Sequence, residues 1–317
     1  MRGDFIESMH VAYAVVVDGD GLIVKNWGDP NYITCIRSSL KPFQASAAVL
    51  EGATEAAGFT SEELALMCAS HNGEEMHVTT AQGMLEKLGY DISYYECGSH
   101  APYDQNAKFE LIRNSNDPTP LHNNCSGKHA GMLCLAKHLG ASPFGYTQVD
   151  HPVQQAIIKQ IKKYSELDDF PLAVDGCSAP VPFMPLYNIA LMYQKLASGE
   201  HGDMNVLYEA MISHPMLVAG TNRFDTDFIL ALDGRAVTKV GGEAVRGLGI
   251  RKEDGSVLGI GIKMLDGNQR CMPSVAVSIL ENLELLTSAE LKKLDKYSNI
   301  SLKNHRQIEV GSITIEI

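Results

Sequence analysis

Ser38 and Lys41 stand three residues apart in C-I-R-S-S-L-K-P-F-Q (35–44), the only Ser-x-x-Lys in the chain. On a helix that spacing puts hydroxyl and amine on one face, within hydrogen-bond reach. A serine there gains from the helix N-terminus, and a desolvated lysine can take its proton, which is the chemistry of an activated nucleophile. To work near neutral pH the amine must fall from about 10.4 towards 7, a difference worth about 4 kcal/mol. A second nearby cation would supply much of it. The plain alternative makes Ser38 an N-cap and Lys41 a solvated first-turn residue. Ser39 has no lysine at the same spacing, because position 42 is Pro.

Three further clusters carry reactive groups. Ser70-His71-Asn72-Gly73-Glu74 sits at a loop-to-helix junction, where it either lines a pocket with a second hydroxyl and a polarised His71 or simply caps the helix. His122-Asn123-Asn124-Cys125-Ser126-Gly127-Lys128-His129 is the densest polar run and opens a helix, which brings Cys125, Lys128 and His129 towards one face. Cys125 could be an activated thiolate or a metal ligand. Asp175-Gly176-Cys177-Ser178-Ala179-Pro180 follows a short apolar strand, exposing Asp175 and Cys177 at its end. Two lone cysteines without a C-x-x-C do not by spacing make a zinc site. Lys239, followed by Gly241-Gly242, lies on a strand where a ligand can approach the backbone closely. The same K-x-G shape at Lys87-Leu88-Gly89 is only a helix ending.

The elements that must position these groups are strands at both ends and helices between. V-A-Y-A-V-V-V (11–17) and L-I-V-K-N-W (22–27) flank D-G-D-G as a hairpin, and a short strand covers 32–36. Strands are expected at 235–240, 244–250 and 257–265, with the last ten residues as an edge strand. Helices are expected at 40–51, from a capping box at Thr60–Glu63, at 74–88 ending on Gly89, and at 126–139. More follow near 151–165, 186–198, 203–213, 224–231 and 274–295, and residues 90–123 read as a long polar loop. The fold class is therefore α+β: one antiparallel sheet from the two chain ends, with a central helical lobe. A single catalytic domain is expected, its sheet lobe about 1–50 plus 232–317 and its helical lobe about 51–231. The cleft between the lobes is the place for a site.

With 26 basic against 38 acidic side chains, net −12, and no basic stripe, the chain is no candidate for nucleic-acid binding. The N-terminus lacks the apolar run of a signal peptide and no stretch is long enough to span a membrane, so a cytoplasmic protein is expected. Seven cysteines in such a chain favour free thiols, metal ligands or redox groups over a disulfide framework.

Taken together, R-S-S-L-K-P-F-Q, S-H-N-G-E, H-N-N-C-S-G-K-H-A-G-M, D-G-C-S-A-P, R-F-D-T and K-V-G-G-E resemble the thermolabile L-asparaginase II family, the Rhizobium etli type, from about residue 10 to the C-terminus. The resemblance implies a serine β-lactamase- or glutaminase-like fold, and hydrolysis of the L-asparagine side-chain amide to aspartate and ammonia through a serine acyl-enzyme. It implies Ser38 as nucleophile, Lys41 as its base, and Ser70 with Lys239 as a second Ser–Lys pair. It implies zinc held by Cys125, Lys128 and Cys177, assisting substrate binding. Arg37, His71, His129 and Asp175 would be pocket residues, with Asp175 suited to an α-ammonium and Arg37 to a carboxylate. A homodimer is common in the family. V-G-G-E-A after Lys239 stands where the family pattern is closer to T-G-A-E-G, which implies a different strand edge. Rival readings are glutamine or a β-lactam as substrate, and a cysteine or zinc hydrolase using Cys125, His122 and His129. A further rival is a catalytically silent amino-acid-binding relative.

Overall fold

The computed structural model describes residues 1–298 and 300–317. Its strands are β1 (Ala12–Val17), β2 (Ile23–Trp27), β3 (Ile33–Cys35), β4 (Leu172–Val174), β5 (Pro180–Pro185), β6 (Ala236–Gly241), β7 (Val245–Arg251), β8 (Val257–Met264), β9 (Ile300–Lys303) and β10 (Glu309–Ile313). Its helices are α1 (Lys41–Leu50), α2 (Ala53–Ala56), α3 (Ser61–Met67), α4 (Glu75–Leu88), α5 (Gln105–Arg113), α6 (Ser126–His138) and α7 (Pro152–Ser165). The rest are α8 (Leu186–Ala197), α9 (Gly202–Ser213), α10 (Pro215–Val218), α11 (Phe224–Ala231), α12 (Met272–Asn282) and α13 (Ser288–Ser298). No described helix is long and apolar enough to cross a membrane.

The main sheet is antiparallel, in the order β2-β1-β8-β7-β6, and joins the two chain ends as expected. Its two faces differ because side chains alternate along each strand. In V-L-G-I-G-I-K-M, Ile260 and Ile262 join Ala14, Val16, Leu248 and Ile250 in a core closed by α11, α12 and α13. Gly259 and Gly261, with Gly247 and Gly249 of β7, face α8. A Cβ on Gly247 would lie 1.9 Å from the Tyr193 ring, and one on Gly259 would lie 2.0 Å from the Ala190 carbonyl. The missing side chains let α8 lie directly on the strands, and Tyr193 reaches past them to donate to the Ser39 carbonyl at 2.7 Å.

Local signals held where they were strong. Thr60 and Glu63 form the capping box, and Gly89 ends α4 in a left-handed conformation, φ 68°. Four expectations change. The polar stretch 90–123 contains α5, which buries no side chain and so shows no apolar stripe; Asp104 caps it by accepting from Ala107 N at 2.8 Å. The 274–295 helix is two helices. Glu284 turns left-handed, φ 54°, and Thr287 with Glu290 forms a second capping box. The signature read at Thr60 thus also stands at Thr287, where it starts α13. The last strand, β10, pairs only with β9 as a separate ribbon and is not an edge of the main sheet. Finally, β3 pairs with β5 in a small sheet β3-β5-β4, despite the prolines of β5. Phe183 N still bonds Pro171 O on one side, and the Pro182 carbonyl accepts from Ile36 N on the other. That small sheet holds the residues on either side of the candidate site.

Candidate active site

A cleft of about 830 Å³ opens between the sheet edge and the helical lobe. Ser38, Arg37, Ser70, Cys125, Asp175 and Cys177 all line it, together with Asn72, His100, Tyr103, Asn124, Arg223 and the edge of β6 at Gly241–Gly242. Seven of the expected site residues sit here or directly beneath, Lys41 being hidden under the floor. An apolar cavity of about 400 Å³ between the chain termini carries none of these groups.

Burial distinguishes the residues of R-S-S-L-K. Residues Arg37–Leu40 form a 3₁₀ turn leading into α1, and no side chain caps it. Ser38 is half-buried and lines the cleft; its carbonyl accepts from Lys41 N, and its hydroxyl has no hydrogen-bond partner among the described residues. Lys41 is wholly buried, so the solvated-lysine alternative fails. Ser39 is wholly buried and donates to the Lys239 carbonyl at 2.9 Å, which pins the turn to β6. Arg37 itself has φ 50°, a strained conformation for a residue with a side chain, at the cleft wall.

The serine–lysine pairing differs from the expected one. Lys41 Nζ donates to the Ser70 hydroxyl at 3.0 Å, to the Asn124 carbonyl at 3.0 Å and to the Ala69 carbonyl. No hydrogen bond joins Ser38 to Lys41, or Ser70 to Lys239, among the described residues. The long amine reaches across to the Ser70 loop and to the loop before α6 instead. Burial holds Lys41 below its ordinary range; the Lys128 charge adds to this and Cys125 opposes it. Lys239, within β6, is wholly buried; its Nζ donates to the Val240 carbonyl at 2.8 Å, and burial pushes it well below its ordinary value. Asp225, the aspartate of R-F-D-T, organises this strand: it accepts from Val240 N at 2.9 Å and pairs with Arg246 at 2.5 Å.

Two expected pocket residues are elsewhere. His71 is wholly buried; Gly73 N donates to its Nδ1 at 3.1 Å, so Nε2 carries the proton and donates to Ser126 at 2.9 Å. It stacks on His77 with centroids 4.7 Å apart, and burial drives it well below the ordinary histidine range. It braces the Ser70 loop against α6 and does not face the cleft. His129 is also buried, with Nδ1 on the Tyr146 hydroxyl at 2.8 Å. Its Nε2 has no hydrogen-bond partner and lies beside the Cys177 sulfur.

Cys125, Lys128 and Cys177 do come together, since α6 begins at Ser126 and the β4–β5 turn carries Cys177 over its first turn. Lys128 Nζ is 2.8 Å from Cys177 Sγ. Cys125 Sγ donates to Asn124 Oδ1 at 3.2 Å; the neighbouring Cys177 and burial raise the Cys125 thiol, while Cys125 and the Lys128 charge hold Cys177 far below its ordinary value. Burial alone would lower Lys128, but the Cys177 and Cys125 charges leave it above the ordinary lysine value. Among the described residues no group of three His, Cys, Asp or Glu is placed to hold a metal. Two buried thiols and the Lys128 amine are nevertheless donors of the types that zinc accepts. His122 takes no part: Thr119 N donates to its Nδ1 at 3.1 Å.

Arg37 Nε donates to Asp175 Oδ1 at 2.7 Å, so the two groups expected to hold opposite ends of a substrate hold each other. Gly242 allows this placement; a Cβ there would meet the Arg37 guanidinium at 2.9 Å. Asn72 and Arg223 lie in S-H-N-G-E and R-F-D-T without having been given a role, and His100 and Tyr103 are single polar residues in a loop, which carry no periodicity.

The family model described as L-asparaginase II matches residues 1–315. Among solved structures, a β-lactamase from Francisella tularensis is 15% identical, with TM-score 0.44, over 87% of this chain and 94% of that one. A β-lactamase from Sphaerobacter thermophilus DSM 20745 is 11% identical, with TM-score 0.44, over 87% and 92%. The protein Mglu is 12% identical, with TM-score 0.39, over 88% of this chain and 62% of that one. No curated protein matches by sequence.

Proposed function

The chain belongs to the L-asparaginase II family and is an amidohydrolase; from that premise we propose that it hydrolyses the side-chain amide of L-asparagine through a Ser38 acyl-enzyme. The observation that carries this reading is Lys41: fully buried, depressed below its ordinary range, and in contact with Ser70 beneath the cleft that Ser38 lines. Once neutral, the amine keeps two N–H bonds to the Ala69 and Asn124 carbonyls and accepts from the Ser70 hydroxyl, through which the Ser38 proton reaches it as the Ser38 oxygen attacks the amide carbon. The backbone N–H groups of Ser38 and of the β6 edge at Gly242 receive the developing oxyanion. Ser70, already bonded to Lys41, passes the proton on to the departing nitrogen, and ammonia leaves. Water, deprotonated by the same amine, then hydrolyses the ester to release aspartate. Lys239 keeps a second buried amine behind this relay, and Asp175, oriented by Arg37, meets the substrate ammonium.

Cys125, Lys128 and Cys177 would hold zinc beside the cleft, with His129 adjacent. Bound there, the ion supplies a fixed positive charge that strengthens substrate binding. Both thiols and the amine must give up their protons for it, so its affinity depends on pH.

The test is Ser38→Ala in a direct ammonia-release assay with L-asparagine, L-glutamine and a β-lactam as parallel substrates. A loss of at least about 1,000-fold in kcat on asparagine is expected. Near wild-type turnover would overturn the nucleophile assignment. The Lys41–Ser70 bond supports a second reading in which Ser70 attacks. An acyl adduct seen by mass spectrometry in Ser70→Ala but absent from Ser38→Ala excludes it.

A further inference from the structure

Two arginines line the cleft, and only one of them is neutralised. Arg37 gives its Nε to Asp175 at 2.7 Å. Arg223 forms no ion pair with any described residue, and among these its guanidinium makes one hydrogen bond, from Nη1 to Asn72 Oδ1 at 2.8 Å. The nearby carboxylates are committed elsewhere. Asp225 is taken by Arg246 and Val240 N, and Glu74 by Thr221 N at 2.7 Å, Thr221 Oγ1 at 2.9 Å and Asn72 Nδ2 at 2.9 Å.

The guanidinium is held in place by more than its own bond. Asn72 gives both amide hydrogens away, to Glu74 and to the Thr221 carbonyl at 3.0 Å, which leaves its oxygen pointing at Arg223. Gly220, with φ 113°, brings the Thr221 loop onto Glu74, where a Cβ would lie 2.4 Å from Oε1. Asn222 adds a left-handed turn, φ 58°, immediately before Arg223. Asn72 also anchors the opposite wall, its carbonyl accepting from Tyr103 N at 2.8 Å. A network of this kind, built on a strained loop to fix one edge of a cation, leaves the remaining guanidinium donors for a planar anion.

We propose that Arg223 is the group that binds the substrate α-carboxylate, so that the enzyme requires a free amino acid and Arg37 serves to orient Asp175. This deepens the asparaginase reading and rests on it. The carboxylate expected of Arg37 thereby passes to Arg223, and a zwitterion spans the cleft between Asp175 and Arg223.

The experiment is steady-state kinetics on L-asparagine and on L-asparaginamide, in which the carboxylate is replaced by a neutral amide. Wild type, Arg223→Gln, Arg223→Lys and Arg37→Gln are compared. Arg223→Gln is expected to raise KM for asparagine by about 100-fold with kcat within about threefold, and to lose the preference for asparagine over the amide. Arg223→Lys should restore most of that preference, a rescue that a structural role would not give. An unchanged KM in Arg223→Gln, or loss of the preference in Arg37→Gln alone, would overturn the proposal. If wild type released no ammonia from asparagine, the function reading would fail, and calorimetric titration with L-aspartate would still decide this one. Equal affinity in wild type and Arg223→Gln would then refute it.

Discussion

Lys41 and Lys128 are matched in nearly everything except the charge of their neighbours. Each sits in the first turn of a helix, each is buried, and each has its amine within 3.0 Å of a side-chain acceptor. Their proton affinities nevertheless move in opposite directions. Lys41 meets two carbonyls and a hydroxyl, neutral dipoles that solvate an ammonium less well than water, so burial wins. Lys128 meets the Cys177 sulfur, whose negative charge more than offsets the same burial. Burial alone therefore does not make a base. A lysine becomes one when its partners are polar but uncharged.

The comparison breaks most severely at Lys41. Lys41→Met should lower kcat on asparagine by about 100- to 10,000-fold, the range for loss of a general base, while zinc binding is retained. Comparable losses in both would mean that the two lysines form one site. Lys128→Met should act the other way. Zinc affinity in equilibrium dialysis should fall by at least about 100-fold, and KM should rise with kcat within about threefold. A collapse of kcat in that variant would put the metal, and not Lys41, at the centre of the chemistry.

A smaller effect comes from the histidines behind the Ser70 loop. His71 and His77 are both held below the ordinary 6.5 by burial. The unfolded chain therefore binds protons first as pH falls. Stability holds above about pH 6.5 and declines below it, by up to about 1.4 kcal/mol per pH unit for each histidine. Urea midpoints at about pH 7.5 and about pH 5.5 should show this slope, and His77→Gln should flatten it; a slope unchanged in that variant would remove His77 from the account. The smallest expected effect is at Ser39. Ser39→Ala removes its buried bond to the Lys239 carbonyl and should cost about 1 kcal/mol, with kcat within about threefold. A large loss of turnover there would reopen the choice between the two adjacent serines.

Much of this was legible in the chain itself. The five-stranded sheet follows from alternating apolar strands at both ends, and α3 and α4 from their caps. The cysteines, lysine and aspartate in H-N-N-C-S-G-K-H and D-G-C-S-A-P converge because each string fixes a local turn, one opening α6 and the other joining β4 to β5. The second capping box at Thr287 was equally legible, although apolar residues on both sides of it invite one continuous helix.

What the chain could not show is which groups share a hydrogen bond. The partners of Lys41 stand 28, 29 and 83 residues away, so its pairing with Ser70 and not Ser38 depends on how the 3₁₀ turn, the Ser70 loop and α6 are packed together. The same holds for Arg37 with Asp175, 138 residues apart, and for Arg223 with Asn72, 151 apart. The burial of His71 away from the cleft is likewise a result of packing. Sequence determines residue chemistry and the local turns that present it, because those depend on neighbours within one turn of backbone. Proton affinity and ion pairing depend on the charge and depth of groups from distant segments, and only the tertiary structure decides those.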